Sequence, residues 1–390
     1  MAAEELERRE LMAERERGER EGEDGAPVEA RTQPSDEGPL AALLELVCCP
    51  VSGAPLQLLE GDREEGLLGS EGGYQYPIIG AVPRLLPPAL LTPLLQKSFP
   101  TYLSRWPALA AQGEGAPAPS EALLETMTAY SYQHVSMADE ELLWDEWRQS
   151  WDRFQPGLAP EQLAGKRVLE VGCGEGRHAR LVSRGGAEIL VGLDLSRGVE
   201  RARALELDQN HHFVQGDLRH PPFRPGVFDA LSSNGVLHHT PEPAASFAAV
   251  APLLRPNGLA SVWVYGLDEM RWTYRASHLT WLRPLTNRIP RPAQLAVAAG
   301  LTVGLEAGLW TPTRLLRRVG AEGVAARIPY QDAADRDWRY KLRRVFDRLN
   351  PPITHYISRE ALREWFAHFE EVEVINADGQ GWTGRGRAPA

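Results

Sequence analysis

From Lys166 onward, short apolar runs alternate with segments whose apolar residues have helical spacing. The short runs predict β-strands, and the segments between them predict the crossover helices of a parallel sheet. This alternation is typical of an α/β fold with helices on both faces of the sheet. The predicted strands are 167–171, 188–193, 212–214, 227–232 and 259–265.

The same pattern resumes near the C-terminus. Ser358 is an expected N-cap for a helix over 359–368, and apolar runs at 371–376 and 382–387 predict two more strands. We therefore expect a doubly wound, mostly parallel seven-stranded sheet, completed by residues 356–390. Residues 267–355 become a large helical insertion after the fifth strand.

The N-terminal 38 residues differ in composition from the rest. They carry thirteen acidic residues against six arginines and few large apolar side chains, too few to offset the entropy lost on folding. We expect residues 1–38 to be a disordered charged tail. Of the chain's net charge of −11, only about −4 remains for the other residues. A body so near neutrality gives no electrostatic basis for binding nucleic acid.

Two segments lie between this tail and the predicted core at 161–266. Residues 40–90 hold a small apolar unit, and residues 91–160 a Gly/Pro/Ala-rich linker with a helical lead-in. The lead-in carries an aromatic stripe on one helix face, which we expect to pack against the core rather than against a substrate. The stripe consists of Trp144, Trp147, Trp151 and Phe154.

A glycine-rich turn, Glu-Val-Gly-Cys-Gly-Glu-Gly-Arg-His from Glu170, joins the first strand to a helix. Gly172, Gly174 and Gly176 allow the backbone to approach a ligand closely, and the helix N-terminus directs N–H groups toward it. Their spacing differs from the dinucleotide fingerprint, which has two residues between its second and third glycines. The turn predicts a ligand at this edge of the sheet.

Acidic residues follow the next two strands. Asp194 lies about twenty residues after the glycines, where an acid can accept hydrogen bonds from ribose hydroxyls. Asp217, after the third strand, can accept one from the exocyclic amine of a base. Because the carboxyl ends of parallel strands share one edge, both acids are expected beside the glycine turn.

Taken together, these motifs resemble the class I S-adenosylmethionine-dependent methyltransferases, specifically their type-11 small-molecule group. The resemblance covers 165–265 and extends to the last 35 residues of the chain. It implies a Rossmann-like methyltransferase fold and S-adenosyl-L-methionine as the cofactor. The supporting motifs are Gly-Leu-Asp-Leu-Ser (192–196), Gly-Asp-Leu (216–218), Val-Leu-His-His-Thr (236–240) and Leu-Arg-Pro-Asn-Gly (254–258).

The resemblance also implies roles for individual residues. Glu170 and Gly172 would hold the methionyl end of the cofactor, and Asn234 would lie near the sulfonium. The two acids would keep the ribose and adenine contacts described above, with Leu218 packing beside the adenine ring.

Methyl transfer from a sulfonium is an in-line displacement, in which positioning dominates and a base assists when the nucleophile is a hydroxyl. His238 and His239 directly follow the fourth strand, and Tyr265 ends the fifth. These three are the candidate catalytic residues. A purely structural role for either histidine remains an alternative.

The unit at 40–90 resembles the zinc-ribbon-like domain related to the activator subunit of tRNA and translation-factor methyltransferases. The stretch from Tyr76 to Pro83 carries most of that resemblance. A ribbon zinc site needs two Cys-x-x-Cys knuckles, but Ser52 stands where a cysteine would follow Cys49, and the second knuckle region has none. We expect a degenerate module without a metal, used for packing or docking.

The insertion is rich in arginine and contains an apolar segment, 293–310, whose only charge is Glu306. Its length is at or below what spans a membrane. Our first expectation is a buried helix in a lid over the substrate. The alternative is peripheral contact of residues 283–318 with an anionic membrane or a lipid-linked substrate.

Three cysteines and no apolar run behind a basic N-terminus indicate a cytoplasmic protein. We expect a methyltransferase acting on a small molecule, with a sugar, a quinone-like ring or a lipid-linked intermediate as candidate acceptors. No nucleic acid partner is expected, and the sequence leaves the oligomeric state open. Two alternatives remain: a methyltransferase for tRNA or a translation protein, and a non-catalytic cofactor-binding scaffold.

Overall fold

An eleven-stranded sheet runs through the part of the chain that the computed structural model describes, residues 37–115, 118–137, 144–205, 207–208, 210–266, 279–376 and 380–390. The expected charged tail lies outside the described residues except at its end, as do the side chains of Trp144 and Trp147. Residues from Pro39 to Ala390 form one compact unit.

The strands follow one another in the sheet in the order β1-β2-β3-β4-β7-β6-β5-β8-β9-β11-β10. Their bounds are β1 Leu56–Gly61, β2 Glu65–Ser70, β3 Gln75–Ile79, β4 Val82–Leu85, β5 Arg167–Val171, β6 Ile189–Asp194, β7 His211–Gly216, β8 Phe228–Asn234, β9 Leu254–Tyr265, β10 Glu370–Ile375 and β11 Gly381–Arg387.

The five predicted core strands are present as β5 to β9 and are parallel to one another. Their apolar runs are buried on both faces, as expected for a parallel sheet covered by helices. The carboxyl ends of these strands therefore meet at one edge, which the structure places beside the glycine turn.

The C-terminal strands complete this core with antiparallel pairing, because β11 runs against both β9 and β10. The helix before them begins where the sequence predicts: Ser358 Oγ accepts a hydrogen bond from the Ala361 N–H at 3.1 Å. Such a cap satisfies one of the unpaired N–H groups of the first turn.

The seven predicted strands are present as β5 to β11, with four parallel and two antiparallel pairings among them, but the sheet is larger than these seven strands. The module at 40–90 forms an antiparallel meander, β1 to β4, and β4 pairs with β7 in parallel, which extends the sheet to eleven strands. Five pairings are parallel and five antiparallel, so the sheet is mixed. Buried Arg84 fixes the junction by donating to Gln215 at 2.7 Å and pairing with Glu200 at 3.1 Å.

Helices precede, connect and cover the strands. Their bounds are α1 Glu37–Leu44, α2 Pro88–Ser98, α3 Pro100–Arg105, α4 Ala108–Ala111, α5 Glu121–Ser136, α6 Trp144–Phe154, α7 Arg177–Arg184, α8 Gly198–Arg203, α9 Pro243–Val250, α10 Arg283–Thr286, α11 Arg291–Leu305, α12 Thr311–Arg318, α13 Glu322–Ala325, α14 Trp338–Leu349 and α15 Arg359–Trp365.

The described part of the insertion, residues 279–355, is helical and has its own apolar cluster, built around Trp310, Phe346 and Leu349. We call α10 to α14 the cap. A π-helical turn, Glu306–Trp310, joins α11 to α12, so that Arg291–Arg318 is one helical stretch. Only 22% of its most apolar 18-residue window is buried. The expectation of a buried lid helix is therefore wrong for this stretch.

Candidate functional site

A cavity of about 270 Å³ lies at the carboxyl edge of the parallel strands. The glycine turn and the ends of β6, β8 and β9 form its wall on the sheet side. Helices α5 and α14 supply the facing wall. The cavity is thus enclosed between the sheet edge and the cap, where open α/β folds bind their ligands.

Each glycine of the turn has a left-handed backbone that a larger residue would adopt only with strain. A Cβ on Gly172 (φ +77) would lie 2.2 Å from a Val236 methyl, and one on Gly174 (φ +55) would meet the His134 ring. Gly172 and Gly174 line the cavity. Gly176 (φ +82) instead precedes α7 and faces Ala202 of α8, so its role is in packing.

Asp194 is the last residue of β6, and its carboxylate forms a hydrogen bond with the glycine-rich turn. Its Oδ2 accepts the Gly174 N–H at 2.8 Å, and its Oδ1 accepts the Ser196 N–H at 2.7 Å. The carboxylate lines the cavity. Because each carboxylate oxygen has two lone pairs, both oxygens retain acceptor capacity for a ligand.

Asp217 follows β7 and is buried, but its carboxylate is already engaged. The Arg219 guanidinium forms a fork with both oxygens, with Nε to Oδ1 at 3.1 Å and Nη2 to Oδ2 at 2.6 Å. Leu218 and Arg219 line the cavity beside it. A base amine that approached Asp217 would share this carboxylate with Arg219.

Glu170, near the end of β5, is a buried carboxyl group whose Oε2 has no hydrogen-bond partner in the described structure. Burial raises the pKa of Glu170 to about 8, while the Arg177 guanidinium acts in the opposite direction. His178 Nδ1 is 3.7 Å from Oε1, but burial lowers the pKa of His178 well below its ordinary value. A neutral imidazole cannot stabilise the ionised form of Glu170, whereas a cationic ligand group can, so Glu170 suits such a group.

His178 is held by its neighbours rather than exposed to the cavity mouth. Its Nε2 lies 3.0 Å from Ser150 Oγ, and its Nδ1 lies 3.2 Å from Asn234 Nδ2. Asn234 Oδ1 also accepts a hydrogen bond from Gln155 at 2.6 Å. The predicted site residue Asn234 is therefore fixed in orientation at the end of β8, where it lines the cavity.

The two candidate histidines separate in the structure. His238 is fully buried, is not among the described residues that line the cavity, and its Nδ1 accepts the Tyr265 N–H at 3.4 Å. This position favours the structural alternative for His238. His239 and Tyr265 both line the cavity.

His239 has a defined tautomer because its Nδ1 lies 2.8 Å from the Ile353 carbonyl oxygen, which can only accept. Nδ1 thus carries the proton, and Nε2 is the free acceptor. Burial lowers the pKa of His239, which keeps the ring neutral near pH 7. Burial, followed by the Asp347 carboxylate, raises the pKa of Tyr265 far above its ordinary value.

The wall opposite the sheet contains residues that were not predicted from the sequence. From α5 come Tyr130, Gln133 and His134, and α14 supplies Asp347 and Arg348. Gln133 Nε2 donates to Asp347 Oδ1 at 2.9 Å, which ties the two helices together. The arginine excess of the insertion was the available signal, since some of these arginines line the cavity.

The aromatic stripe on α6 divides between core and site. Trp151 is buried, and its indole N–H donates to the Leu158 carbonyl at 2.6 Å, as expected for a packing residue. Phe154 packs against Trp263 with tilted rings whose centroids are 4.2 Å apart, and both residues line the cavity.

Within the described residues, no cluster of three or more His, Cys, Asp or Glu side chains could hold a metal ion. In the N-terminal module, Cys49 Sγ is 3.1 Å from the Tyr76 hydroxyl, and both side chains are buried. Cys173, within the glycine turn, is also buried, and burial raises its pKa well above the ordinary value. A nucleophilic role for Cys173 is not supported.

The segment that forms most of the sheet side of this site is similar to known proteins. Residues 169–262 match the family described as "Methyltransferase domain". This confirms the expectation that the core is an S-adenosylmethionine-dependent methyltransferase domain. The match covers the turn, the strand-end acids and the His238–His239 region, but neither the N-terminal module nor the cap.

Two curated relatives share this segment. The chain is 34% identical over 119 residues to the tRNA U34 carboxymethyltransferase of Geobacter sp. (strain M21), which is 29% of this chain and 36% of that protein. It is 37% identical over 102 residues to the ubiquinone biosynthesis O-methyltransferase of Pectobacterium carotovorum subsp. carotovorum (strain PC1), 25% of this chain and 42% of that protein. The chain thus spans less than half the length of these relatives.

Among solved structures, the S-adenosylmethionine-dependent methyltransferase from Mesorhizobium loti is 27% identical, with 33% of this chain and 55% of that chain covered and a TM-score of 0.27. The similarity is confined to part of each chain.

Proposed function

We propose that this protein transfers a methyl group from S-adenosyl-L-methionine to a small molecule held between the sheet edge and the cap. The observation that carries the proposal is that the predicted cofactor residues, His239 and residues of the cap line one common cavity. A space of about 270 Å³ walled by α14 favours a small acceptor.

For the cofactor, we assign the amino-acid end to Glu170 and Arg177, whose opposite charges match its ammonium and carboxylate groups. The unpartnered Glu170 Oε2 supports this assignment because an ammonium group would supply the missing donor. Asp194 then accepts the ribose hydroxyls with the lone pairs that the Gly174 and Ser196 N–H groups leave free. Asp217 and Leu218 face the adenine.

For the transfer step, we assign proton removal from the acceptor to His239 Nε2. The bound cofactor supplies the electrophilic methyl group. His239 is suited to accept a proton because it is neutral near pH 7 and its other nitrogen is fixed on the Ile353 carbonyl. Tyr265 lines the same space as a neutral hydroxyl that can hold the acceptor by a hydrogen bond.

The acceptor class is open to a direct experiment with methyl-labelled S-adenosylmethionine. The full-length protein is incubated with cell extract separated into small-molecule, RNA and protein fractions. We expect label in the small-molecule fraction, with a product 14 mass units heavier, and none with Asp194→Ala. Label in the RNA fraction would instead support a tRNA acceptor, as the name of the Geobacter relative indicates for that protein. No transfer to any fraction would leave a cofactor-binding scaffold.

We also propose that residues 283–318 contact an anionic membrane surface. The helical stretch Arg291–Arg318 packs Ala298 and Trp310 into the apolar cluster of the cap, but its outer face leaves Val297 and Val303 exposed. Val303 is 58% exposed. Exposed apolar side chains flanked by the exposed arginines Arg288 and Arg318 match an interfacial helix.

Flotation with vesicles tests this contact. We expect binding to vesicles of phosphatidylcholine with phosphatidylserine, weaker binding to phosphatidylcholine alone, and loss of binding in the double variant Val297→Asp, Val303→Asp. Val51→Asp, at another exposed valine (46% exposed), is the matched control and should float normally. Equal flotation of the double variant would overturn the proposal, as would a stable dimer with no vesicle binding.

A further inference from the structure

Among the described residues, six arginines line the cavity, and only some of them have a carboxylate partner. Three of its arginines have acidic partners: Arg219 pairs with Asp217, Arg343 with Glu175, and Arg344 with Asp332. Three others line the cavity without a carboxylate partner in the described structure. These are Arg153, Arg177 and Arg348.

Arg348 is the most deeply placed of the three. Its side chain is on α14 and the residue is only 6% exposed, yet its guanidinium forms no hydrogen bond or ion pair within the described part of the chain. Its one described contact is with a ring, because the guanidinium carbon lies 4.0 Å from the centre of Tyr330. The Arg348 carbonyl, by contrast, accepts a hydrogen bond from Arg283 Nε at 2.6 Å. The side chain thus keeps five unused N–H donors beside the cavity.

A buried guanidinium whose N–H groups lack acceptors is unfavourable, which leaves a ligand as the natural partner. The adjacent acid, Asp347, already accepts from Gln133. The cofactor does not need Arg348 either, because Arg177 lies by Glu170 at the proposed amino-acid end and affects the Glu170 pKa. Arg348 instead acts on the pKa of Tyr265, so it lies toward the proposed transfer end.

We propose that Arg348 binds an oxyanion of the acceptor, a carboxylate or a phosphate, and thereby selects anionic small molecules. This proposal rests on the proposed function. The planar fork of a guanidinium matches either oxyanion by two parallel hydrogen bonds, and the Tyr330 ring holds its plane. The charge of the bound cofactor strengthens the selection, since its sulfonium adds a positive charge to the same cavity.

Calorimetry on the full-length protein, saturated with S-adenosylhomocysteine, tests the proposal with three probes that share a phenyl ring. Benzoate carries a carboxylate, phenyl phosphate a phosphate, and benzamide no charge. We expect at least one anion to bind about tenfold or more tightly than benzamide. The tighter of the two anions identifies the oxyanion. Arg348→Gln should abolish the preference, and Arg348→Lys should retain part of it because the charge remains. Arg363→Gln, an exposed arginine on α15, is the control and should bind all probes like the wild type.

The outcomes separate this proposal from the proposed function. If wild-type protein fails to bind S-adenosylhomocysteine, the proposed function fails. If the wild type binds S-adenosylhomocysteine but binds benzoate, phenyl phosphate and benzamide with equal affinity, only the anion site is refuted. The same holds if Arg348→Gln keeps the preference for anions. A tenfold loss of S-adenosylhomocysteine affinity in Arg348→Gln would also overturn it, because Arg348 would then hold the cofactor. Should the Gln variant not fold, a partial loss of the preference in Arg348→Lys supports the site, and an unchanged preference in Arg348→Lys opposes it.

Discussion

Replacing Glu170 by glutamine should stabilise the protein, and more so as the pH rises. Burial raises the pKa of this carboxyl group from 4.5 to about 8. The folded state therefore holds a proton that the unfolded state loses between these two pH values. Stability falls with pH across that window, because the folded state binds more protons there.

The size of the effect follows from the two pKa values. Each pKa unit between the unfolded and folded values corresponds to about 1.4 kcal/mol of folding free energy. The buried Glu170 carboxyl group therefore destabilises the folded state by about 5 kcal/mol above pH 8, and by about 2 kcal/mol at pH 6. Glutamine has nearly the same shape and does not ionise. We therefore expect the stability advantage of Glu170→Gln to grow by about 2 to 3 kcal/mol between pH 6 and pH 9.

Urea unfolding of both proteins at pH 6, 7, 8 and 9 measures this difference, and exposed Glu322→Gln should show no such trend. The same variant should bind S-adenosylhomocysteine more weakly than the wild type, because the carboxylate that would meet the ammonium group is gone. A constant difference between Glu170→Gln and wild type across the pH range would refute the reasoning, since it would show that Glu170 is ionised in the folded protein throughout.

Two further changes test the turn and the C-terminal helix. Gly172→Ala should cost about 2 to 3 kcal/mol in urea unfolding, because its Cβ would overlap Val236, whereas Gly300→Ala, with open space around it in helix α11, should be neutral or stabilising by up to about 1 kcal/mol. Equal effects would show that the turn is not constrained. Ser358→Ala should cost about 1 kcal/mol through loss of the N-cap, and Ser358→Asp should restore it; an Ala variant as stable as wild type would contradict the cap.

The sequence was sufficient to predict the parallel core because each strand there is decided locally. The run Arg167–Val171 is an apolar segment that ends in glycine, and the structure begins and ends β5 at those residues. The junction between β4 and β7 was not predictable in this way. Its pairing depends on Arg84 meeting Gln215 and Glu200, which are more than a hundred residues away in the chain.

The same distinction applies to the candidate site. Asp194 and Asn234 are the last residues of β6 and β8, so their places at the sheet edge come from the strand pattern, and both line the cavity. Asp347 and Arg348 lie on a cap helix whose position is set by tertiary contacts, such as that between Gln133 and Asp347. Periodicity indicates that α14 is a helix but not that it covers the cavity. His238 and His239 are adjacent, and only packing decides which of them lines the cavity.

The central claim is that Asp194 and the glycine turn bind the nucleoside of the cofactor, and calorimetry with S-adenosylhomocysteine tests it most directly. We expect wild-type protein to bind and Asp194→Ala to bind at least about tenfold more weakly, because charge-assisted hydrogen bonds to the ribose are lost. Asp229→Ala is the matched control: Asp229 also accepts a backbone N–H, from Arg167 at 2.8 Å, but it lies near the opposite end of β8 from the cavity. Binding that is lost only in Asp194→Ala would support the account. No binding by the wild type, or equal affinity of Asp194→Ala and the wild type, would contradict it.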